Sequence, residues 1–298
     1  MNKNTEQRDF CISWWLIFIT VMCVQLGSLV IPENLIINHP YKVIFFTELS
    51  ILLPIAIGGF HLYKRGEIKE IGIKKFNPWL IPVLFILPFI AQIYINIFLA
   101  PFNVVFDFLF NLDEPDIIPK TLTEGVFGAL AVCVLAPMLE EFLLRGVIMH
   151  YLKKYGIIIN LAMSSLAFAL LHFAPDTFIV MFFLGVLLGV IRVITNSIWP
   201  CVIAHSANNL FAYVLMFTPE FLPETNIFLV ILSILIFPAV FCLLIKLSSK
   251  TSREYNFYKP TQKPGLSVGM ILCFAIYAFY MIVIMLSKLS SYIVNLLN

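Results

Sequence analysis

The sequence predicts an all-α membrane protein, a polytopic helical bundle of about nine transmembrane helices with its N-terminus in the cytoplasm. Hydrophobic residues make up 61% of the 298 positions and charged residues only 12%, whereas a soluble domain has about 25% charged residues. Apolar runs of about 20 residues, the length that crosses a hydrocarbon core of roughly 30 Å as a helix, recur along the chain. Lysine and arginine are also distributed unevenly between the connections. We therefore expect a multi-pass protein of the cell (plasma) membrane.

Nine apolar runs qualify as spans. They cover about 10–31, 43–63, 78–101, 123–151, 157–174, 177–194, 197–217, 226–247 and 267–287. Proline, glycine, asparagine or charge separates them, as in KRGEIKEIGIKKFNP after the second run. The fifth and sixth runs are short and closely joined, so either could be tilted or partly re-entrant, and the fourth is long enough to project beyond the bilayer.

The orientation follows from the lysine and arginine residues, which concentrate on the cytoplasmic side of membrane proteins. With nine spans and a cytoplasmic N-terminus, fifteen of the 19 fall in inner segments and three in outer ones; the nineteenth, Arg145, lies inside a span. The outer residues are Lys42, Lys120 and Lys288. Adding or removing one central span would destroy this asymmetry.

Other classes of protein are disfavoured by the composition. The six cysteines are scattered through apolar runs without a CxxC pair, which argues against a disulfide framework or a thiolate metal site. No basic patch with interleaved aromatic residues suggests nucleic acid as a partner. The opening MNKNTEQRDF precedes a long apolar run without a small-residue cleavage signal, so we expect a retained first helix. Oligomeric state has no signal in the sequence.

Several ionisable or amide side chains fall inside the predicted spans. A charge at the bilayer centre costs roughly 2.5 kcal/mol or more, so such residues are functional candidates by default. The main set is Glu140, Glu141, Arg145, His172, His205, Asn208 and Asn209. Four others stand alone, and for these we expect interhelical hydrogen bonds or interfacial positions. They are Glu48, Gln92, Asn96 and His150.

Spacing divides the main set into faces. Glu141 and Arg145 are four residues apart, so they share a helical face and can form an ion pair. Glu140 lies about 100° around the helix and is left for another partner. His205 and Asn209 also share a face. Counted at 1.5 Å per residue from the inner ends, Glu140, His205, Asn209 and His172 lie roughly 16, 12, 18 and 22 Å deep. One buried, hydrated site could therefore hold all four.

Three interpretations remain open on spacing alone. The polar residues could form a structural network that locks the bundle, or they could line a proton-coupled transport pathway. Against transport, no inverted repeat or matched pair of interrupted helices is visible. The third interpretation is a catalytic site.

The motif series favours the third interpretation. Glu140-Glu141-x-x-x-Arg145, Phe168-x-x-x-His172 and His205-x-x-x-Asn209 follow one another in this order. The intervening stretch FFLGVLLGVIRVITNSIWPCVIAHSANN adds spaced glycines and a Thr-x-Ser turn, with Gly185, Gly189, Thr195 and Ser197. Together these residues resemble the CPBP family, the CAAX-processing and bacteriocin-processing (Abi) intramembrane endopeptidases. The resemblance covers about residues 120–215. We divide the chain into N-terminal helices (1–119), a CPBP-type core (120–217) and C-terminal helices (218–298).

The resemblance implies a hydrolase that activates water within the membrane. Glu140 would be the general base, with His172 helping to polarise the water. His205 and Asn209 would hydrogen-bond the oxyanion, and one such donor can be worth roughly 3 kcal/mol. Arg145 would order the glutamate pair through Glu141.

A cofactor is not expected, because the resemblance to the prenyl-protein peptidases implies glutamate-dependent catalysis without zinc. The zinc alternative would use Glu140, His172 and His205 as three ligands with an open fourth position, although HExxH is absent. The expected partners are the lipid bilayer and a peptide or protein substrate in or near it. Lys-, Asn-, Ile- and Phe-rich usage is typical of an AT-rich bacterium. We therefore expect bacteriocin leaders, peptide pheromones or other membrane peptides, with self-immunity as a setting. A non-catalytic scaffold or immunity protein is the alternative.

Overall fold

The computed structural model describes residues 7–32, 39–110, 118–218, 227–248 and 263–297, and all regular secondary structure in these ranges is helical. The all-α prediction is confirmed. The ten helices are α1 Arg8–Val30, α2 Pro40–Leu49, α3 Leu52–Lys64, α4 Ile81–Phe110, α5 Leu122–Tyr155, α6 Ile157–Leu171, α7 Phe178–Thr195, α8 Trp199–Leu215, α9 Ile227–Ser248 and α10 Val268–Leu297. In α5 the helical type changes several times without a break in the helix.

Within the described ranges, seven helical segments are long and apolar enough to cross a membrane. They are Arg8–Gly27, Pro40–Lys64, Pro78–Phe102, Leu122–Tyr155, Phe178–Thr195, Val230–Ser248 and Val268–Ser290. The other two predicted runs form α6 and α8, which are helical but have only 15 and 17 residues. The polytopic bundle is therefore confirmed, and nine crossings stay a prediction. The second predicted run consists of two helices, α2 and α3, which meet at residues 50–51.

Local sequence explains two features, the continuation of α4 through two prolines and the start of α5. Pro88 and Pro101 lie inside α4 without ending it, as is tolerated in membrane helices where neighbours satisfy the freed backbone groups. At the start of α5, the Thr121 hydroxyl accepts a hydrogen bond from the backbone N–H of Glu124 at 3.2 Å. The Glu124 carboxylate in turn accepts from the backbone N–H of Lys120 at 2.9 Å. The first of these bonds satisfies a donor that a helix start leaves open.

Helix α5 lies at the centre of the bundle. It packs against α1, α2, α3, α6 and α8, and α4 packs against α7, α8 and α9. The last helix, α10, lies against α1. Gly269 permits this approach, because a Cβ there would lie 2.8 Å from the backbone oxygen of Trp14. The residues that sequence analysis selected therefore lie on inner helices.

Charged side chains join α1, α3 and α5 at one end of the bundle. The Asp9 carboxylate accepts hydrogen bonds from Arg65, at 2.7 Å, and from Lys154. The cations belong to connections that the charge distribution assigns to the cytoplasmic side, so these connections share one end. Which side of the membrane this end faces stays a prediction. Four of the fifteen predicted inner cations lie outside the described residues: Lys3, Lys250, Arg253 and Lys259.

The loop between α3 and α4 is bound to the same end by two further acid–base contacts. His150 Nε2 lies 2.7 Å from Glu67 Oε2, and Lys153 Nζ lies 2.5 Å from Glu70 Oε2. The hydrogen bond from Lys153 lowers the pKa of the Glu70 carboxyl. Partial burial acts to raise the pKa of Glu67, but the hydrogen bonds from His150 and Arg65 outweigh it and lower this pKa.

Candidate active site

The centre of the site is the LEEFLLRG stretch of α5, in which the helix changes type around the two glutamates. An α-helical turn at Ala136–Glu141 lies between π-helical turns at Ala131–Leu135 and Phe142–Ile148. π-Helical turns are rare and are frequent at functional sites, since they redirect side chains and open backbone hydrogen bonds. Glu140 is 8% exposed, and Glu141 and Arg145 are fully buried.

Glu141 contacts two basic side chains. Its Oε1 accepts a hydrogen bond from Arg145 Nη1 at 2.8 Å, so the ion pair expected from the four-residue spacing is present. The same oxygen lies 2.9 Å from Nδ1 of His205 on α8. Since a carboxylate can only accept, His205 donates through Nδ1 when Glu141 is ionised. The contact holds the imidazole against α5 and leaves Nε2 for other partners.

Arg145 also connects α5 to α6 and α7. Its Nη2 donates to the backbone oxygen of Gly185 at 2.9 Å, and its guanidinium carbon lies 4.9 Å from the centre of the Phe168 ring. Gly185 allows this because a Cβ there would lie 3.0 Å from Cα of Ser165 and 3.3 Å from the Phe168 ring. This glycine of the predicted motif thus lets α7 approach the buried guanidinium.

The Phe168 ring lies between the two histidines of the site. Its centre is 4.5 Å from the His172 ring and 5.3 Å from the His205 ring. His172 Nδ1 lies 2.8 Å from the backbone oxygen of Phe168, one turn back on α6. Because a carbonyl oxygen can only accept, Nδ1 carries the proton and Nε2 of the neutral ring is an acceptor.

Asn209 contacts the first π-helical turn. Its Nδ2 donates to the backbone oxygen of Val132 at 2.9 Å, and its Oδ1 accepts from Asn208 Nδ2 at 3.4 Å. His205 and Asn209 therefore both contact α5 from α8, one turn apart, as their shared face requires. Their role as oxyanion donors stays a prediction.

Glu140 lies about 100° around α5 from Glu141, as expected for the next residue of an α-helical turn. Its Oε2 is buried and has no hydrogen-bond partner in the structure. A neighbouring carboxyl group belongs to Glu48 on α2, which interacts electrostatically with Glu140 and whose Oε2 is also buried and unpartnered. From the sequence we expected only a structural role for Glu48, and no spacing rule could pair it with Glu140, because the contact depends on α2 packing against α5.

Arg192 is a second residue whose role the sequence missed. It is one of the fifteen cations that the charge distribution places in inner segments, but the structure buries it to 4% exposure. Its Nε donates to the backbone oxygen of Arg145 at 3.2 Å, and its Nη2 donates to that of Ile71 at 3.3 Å. After the second π-helical turn, the backbone hydrogen bonds of α5 change from a spacing of five residues to one of four. Such a change leaves one backbone carbonyl without a hydrogen bond within the helix. Arg192 supplies a donor at this junction.

Among the residues that the structure describes, no group of three His, Cys, Asp or Glu side chains could hold a metal ion. Glu140, His172 and His205, the alternative zinc set, are thus not gathered as ligands here. The metal-free mechanism stays a prediction.

Comparison with protein families gives a match over residues 122–211, to the family described as type II CAAX prenyl endopeptidase Rce1-like. The matched segment runs from the start of α5 into α8 and contains every residue of the predicted site. Comparison with curated proteins and with solved structures gives no match.

Proposed function

Because residues 122–211 assign the chain to the CAAX protease family, a family of membrane proteases, we propose that it is an intramembrane endopeptidase in which Glu140 is the general base. The observation that carries this proposal is the Glu140 carboxylate. It is buried, its Oε2 has no hydrogen-bond partner, and it lies beside the Glu141–Arg145 ion pair. A carboxylate with a vacant acceptor position and little solvent can bind a water molecule and remove its proton.

The reaction we propose is direct hydrolysis. Glu140 accepts a proton from water as the water oxygen bonds to the carbonyl carbon of the substrate. The other O–H of that water stays intact and donates a hydrogen bond to Nε2 of His172, since Nδ1 of His172 is bonded to the Phe168 carbonyl. When the C–N bond breaks, the proton held by Glu140 passes to the amine. General acid–base catalysis of this kind contributes roughly 10²- to 10⁴-fold.

The negative charge on the substrate oxygen would be met by donors from α8. His205 donates Nδ1–H to Glu141, so it offers an Nε2–H only as imidazolium, for which the Glu141 carboxylate is a counter-ion. The Asn209 amide has a second N–H besides the one bonded to Val132. Arg145 holds the Glu141 carboxylate in place through their ion pair. Glu141 and Arg145 would thus act on the chemistry through His205.

For substrates, we propose membrane-associated peptides, such as bacteriocin leaders or peptide pheromones, with immunity to a self-made peptide as one setting. The AT-rich bacterial composition supports these over prenylated CaaX proteins. A non-catalytic scaffold or immunity protein and a proton-coupled transporter are the competing proposals, and both predict no peptide hydrolysis.

One assay separates the three. Purified protein in detergent or liposomes is incubated with candidate peptides, and products are identified by mass spectrometry. We expect the wild type to cleave, and Glu140→Gln and His172→Ala to lose about 10²-fold or more in kcat. Glu70→Gln, which changes an acid at the bundle end, is the matched control and should cleave like the wild type. Full turnover by both site variants, or no cleavage by the wild type of any candidate, would overturn the proposal.

A further inference from the structure

The turn that follows His172 has an unusual backbone conformation. Helix α6 ends at Leu171, His172 keeps right-handed geometry with φ −72°, and Phe173 has φ +50°. Positive φ is uncommon outside glycine, asparagine and aspartate, because Cβ then crowds the backbone. A bulky residue persists there only when its surroundings fix it, and such positions cluster at active sites.

Aromatic side chains from α10 surround this turn. The Phe173 ring lies 5.5 Å from that of Tyr277, at 76°, and 5.0 Å from that of Tyr280, at 47°. Tyr277 also contacts Phe178, at the start of α7, with 5.3 Å between ring centres. Edge-on and tilted pairs at these separations are favourable arrangements of aromatic rings. Helix α10 thus holds both sides of the α6–α7 turn.

The contact bears directly on His172. Its imidazole is folded back along α6, with Nδ1 bonded to the Phe168 oxygen and its ring 4.5 Å from the Phe168 ring. His172 immediately precedes Phe173 in the chain. A return of Phe173 to negative φ would therefore change the direction of the backbone next to His172 and move its imidazole. Motif spacing could not predict that the position of His172 depends on α10, because α10 begins at Val268, well beyond the family-matched segment.

We propose that Tyr277 and Tyr280 are positioning residues for His172: their rings hold Phe173 in the left-handed conformation, which keeps Nε2 of His172 directed at the reacting water. The role in the reaction rests on the proposed function above. Helix α10 would then contribute to catalysis, although it lies outside the family-matched segment.

The test uses the full chain with Tyr277→Leu/Tyr280→Leu, which removes both rings. Tyr277→Phe keeps the ring and removes only a hydroxyl that is buried without a hydrogen-bond partner. Tyr94→Leu is the control, because Tyr94 of α4 stacks on Phe237 of α9 at 5.6 Å and touches neither histidine of the site through that contact. We measure kcat and KM, and also the exchange of the imidazole C2 hydrogens by mass spectrometry at one pH.

The double variant should lose about 10- to 100-fold in kcat, as expected for a misplaced catalytic group, with KM little changed. Its His172 should exchange faster than in the wild type, while His205 exchanges at the wild-type rate. Tyr277→Phe and Tyr94→Leu should match the wild type in both measurements. If the double variant does not fold, Tyr277→Leu alone should show the same effects to a smaller extent.

Unchanged exchange at His172 would overturn the proposal, whatever the activity, and so would faster exchange with unchanged kcat. An equal loss in Tyr94→Leu would show a general effect of aromatic loss and would also overturn it. If the wild type cleaves no peptide, the proposed function fails, and the exchange of His172 still decides whether α10 positions the ring.

Discussion

Replacing Arg145 with methionine should destabilise the protein by about 3–5 kcal/mol, the usual cost of removing one partner from a buried ion pair. Arg145 and Glu141 have no solvent-exposed side-chain surface, and their charged atoms lie 2.8 Å apart. At an effective dielectric constant of about 20, two unit charges at this distance attract by roughly 6 kcal/mol. The variant loses this attraction and leaves the Glu141 carboxylate with the hydrogen bond from His205.

The double variant shows whether pairing causes the loss. Glu141→Gln alone should also cost about 3–5 kcal/mol, because it leaves both Arg145 and His205 without their carboxylate. Glu141→Gln/Arg145→Met removes both charges of the pair. Its loss of unfolding free energy should be at least about 2 kcal/mol smaller than the sum of the two single losses, because the effects of residues in contact do not add.

The assay is unfolding in mixed micelles with increasing SDS, followed by tryptophan fluorescence, with the free energy of unfolding obtained for each of the four proteins. Wild type, both single variants and the double variant complete the cycle. If the loss in the double variant equals the sum of the two single losses to within about 0.5 kcal/mol, the residues do not interact. That result would refute the argument from the buried pair.

Three further predictions address chemistry and conditions. Asn209→Ala should lower kcat by about 10²-fold, the loss typical of one oxyanion donor, in the peptide assay with Asn208→Ala as the neighbouring control; equal losses would reject a specific role. Because its folded pKa is lowered from 4.5, Glu70 stabilises the fold above the unfolded pKa, and this contribution is lost as pH falls through the folded pKa. Glu70→Gln should therefore melt slightly below the wild type at neutral pH and at the same temperature in acid, as followed by thermal unfolding in detergent. Activity should survive prolonged chelation; loss of activity that zinc restores would contradict the metal-free mechanism.

Contacts within one helix were predictable from the sequence. The Glu141–Arg145 pair follows from four-residue spacing, and so does the placement of Phe168 against His172. The apolar runs gave the helical segments for a similar reason, because a membrane helix must satisfy its backbone within the segment itself. The bounds were less accurate where proline stands inside a helix, as at Pro101 in α4.

Contacts between helices were not predictable in the same way. His205 binding Glu141, and Glu48 facing Glu140, depend on how α8 and α2 rotate and pack against α5. The π-helical turns of α5 also left no pattern, since a single extra residue per turn produces no separate periodicity of apolar residues. For Arg192, the sequence showed a cation near the end of a span but not the carbonyl oxygens that bind it.

The loop between α3 and α4 is more restrained than surface connections usually are. Loops commonly accept insertions, but the backbone oxygens of Ile71, Gly72 and Lys74 accept hydrogen bonds from Arg192, Ile198 and Ser197. An epitope or reporter inserted at 71–74 for mapping membrane topology would displace Arg192 and, through it, the backbone of Arg145. A tag placed there would therefore report on a protein whose central helix it had disturbed.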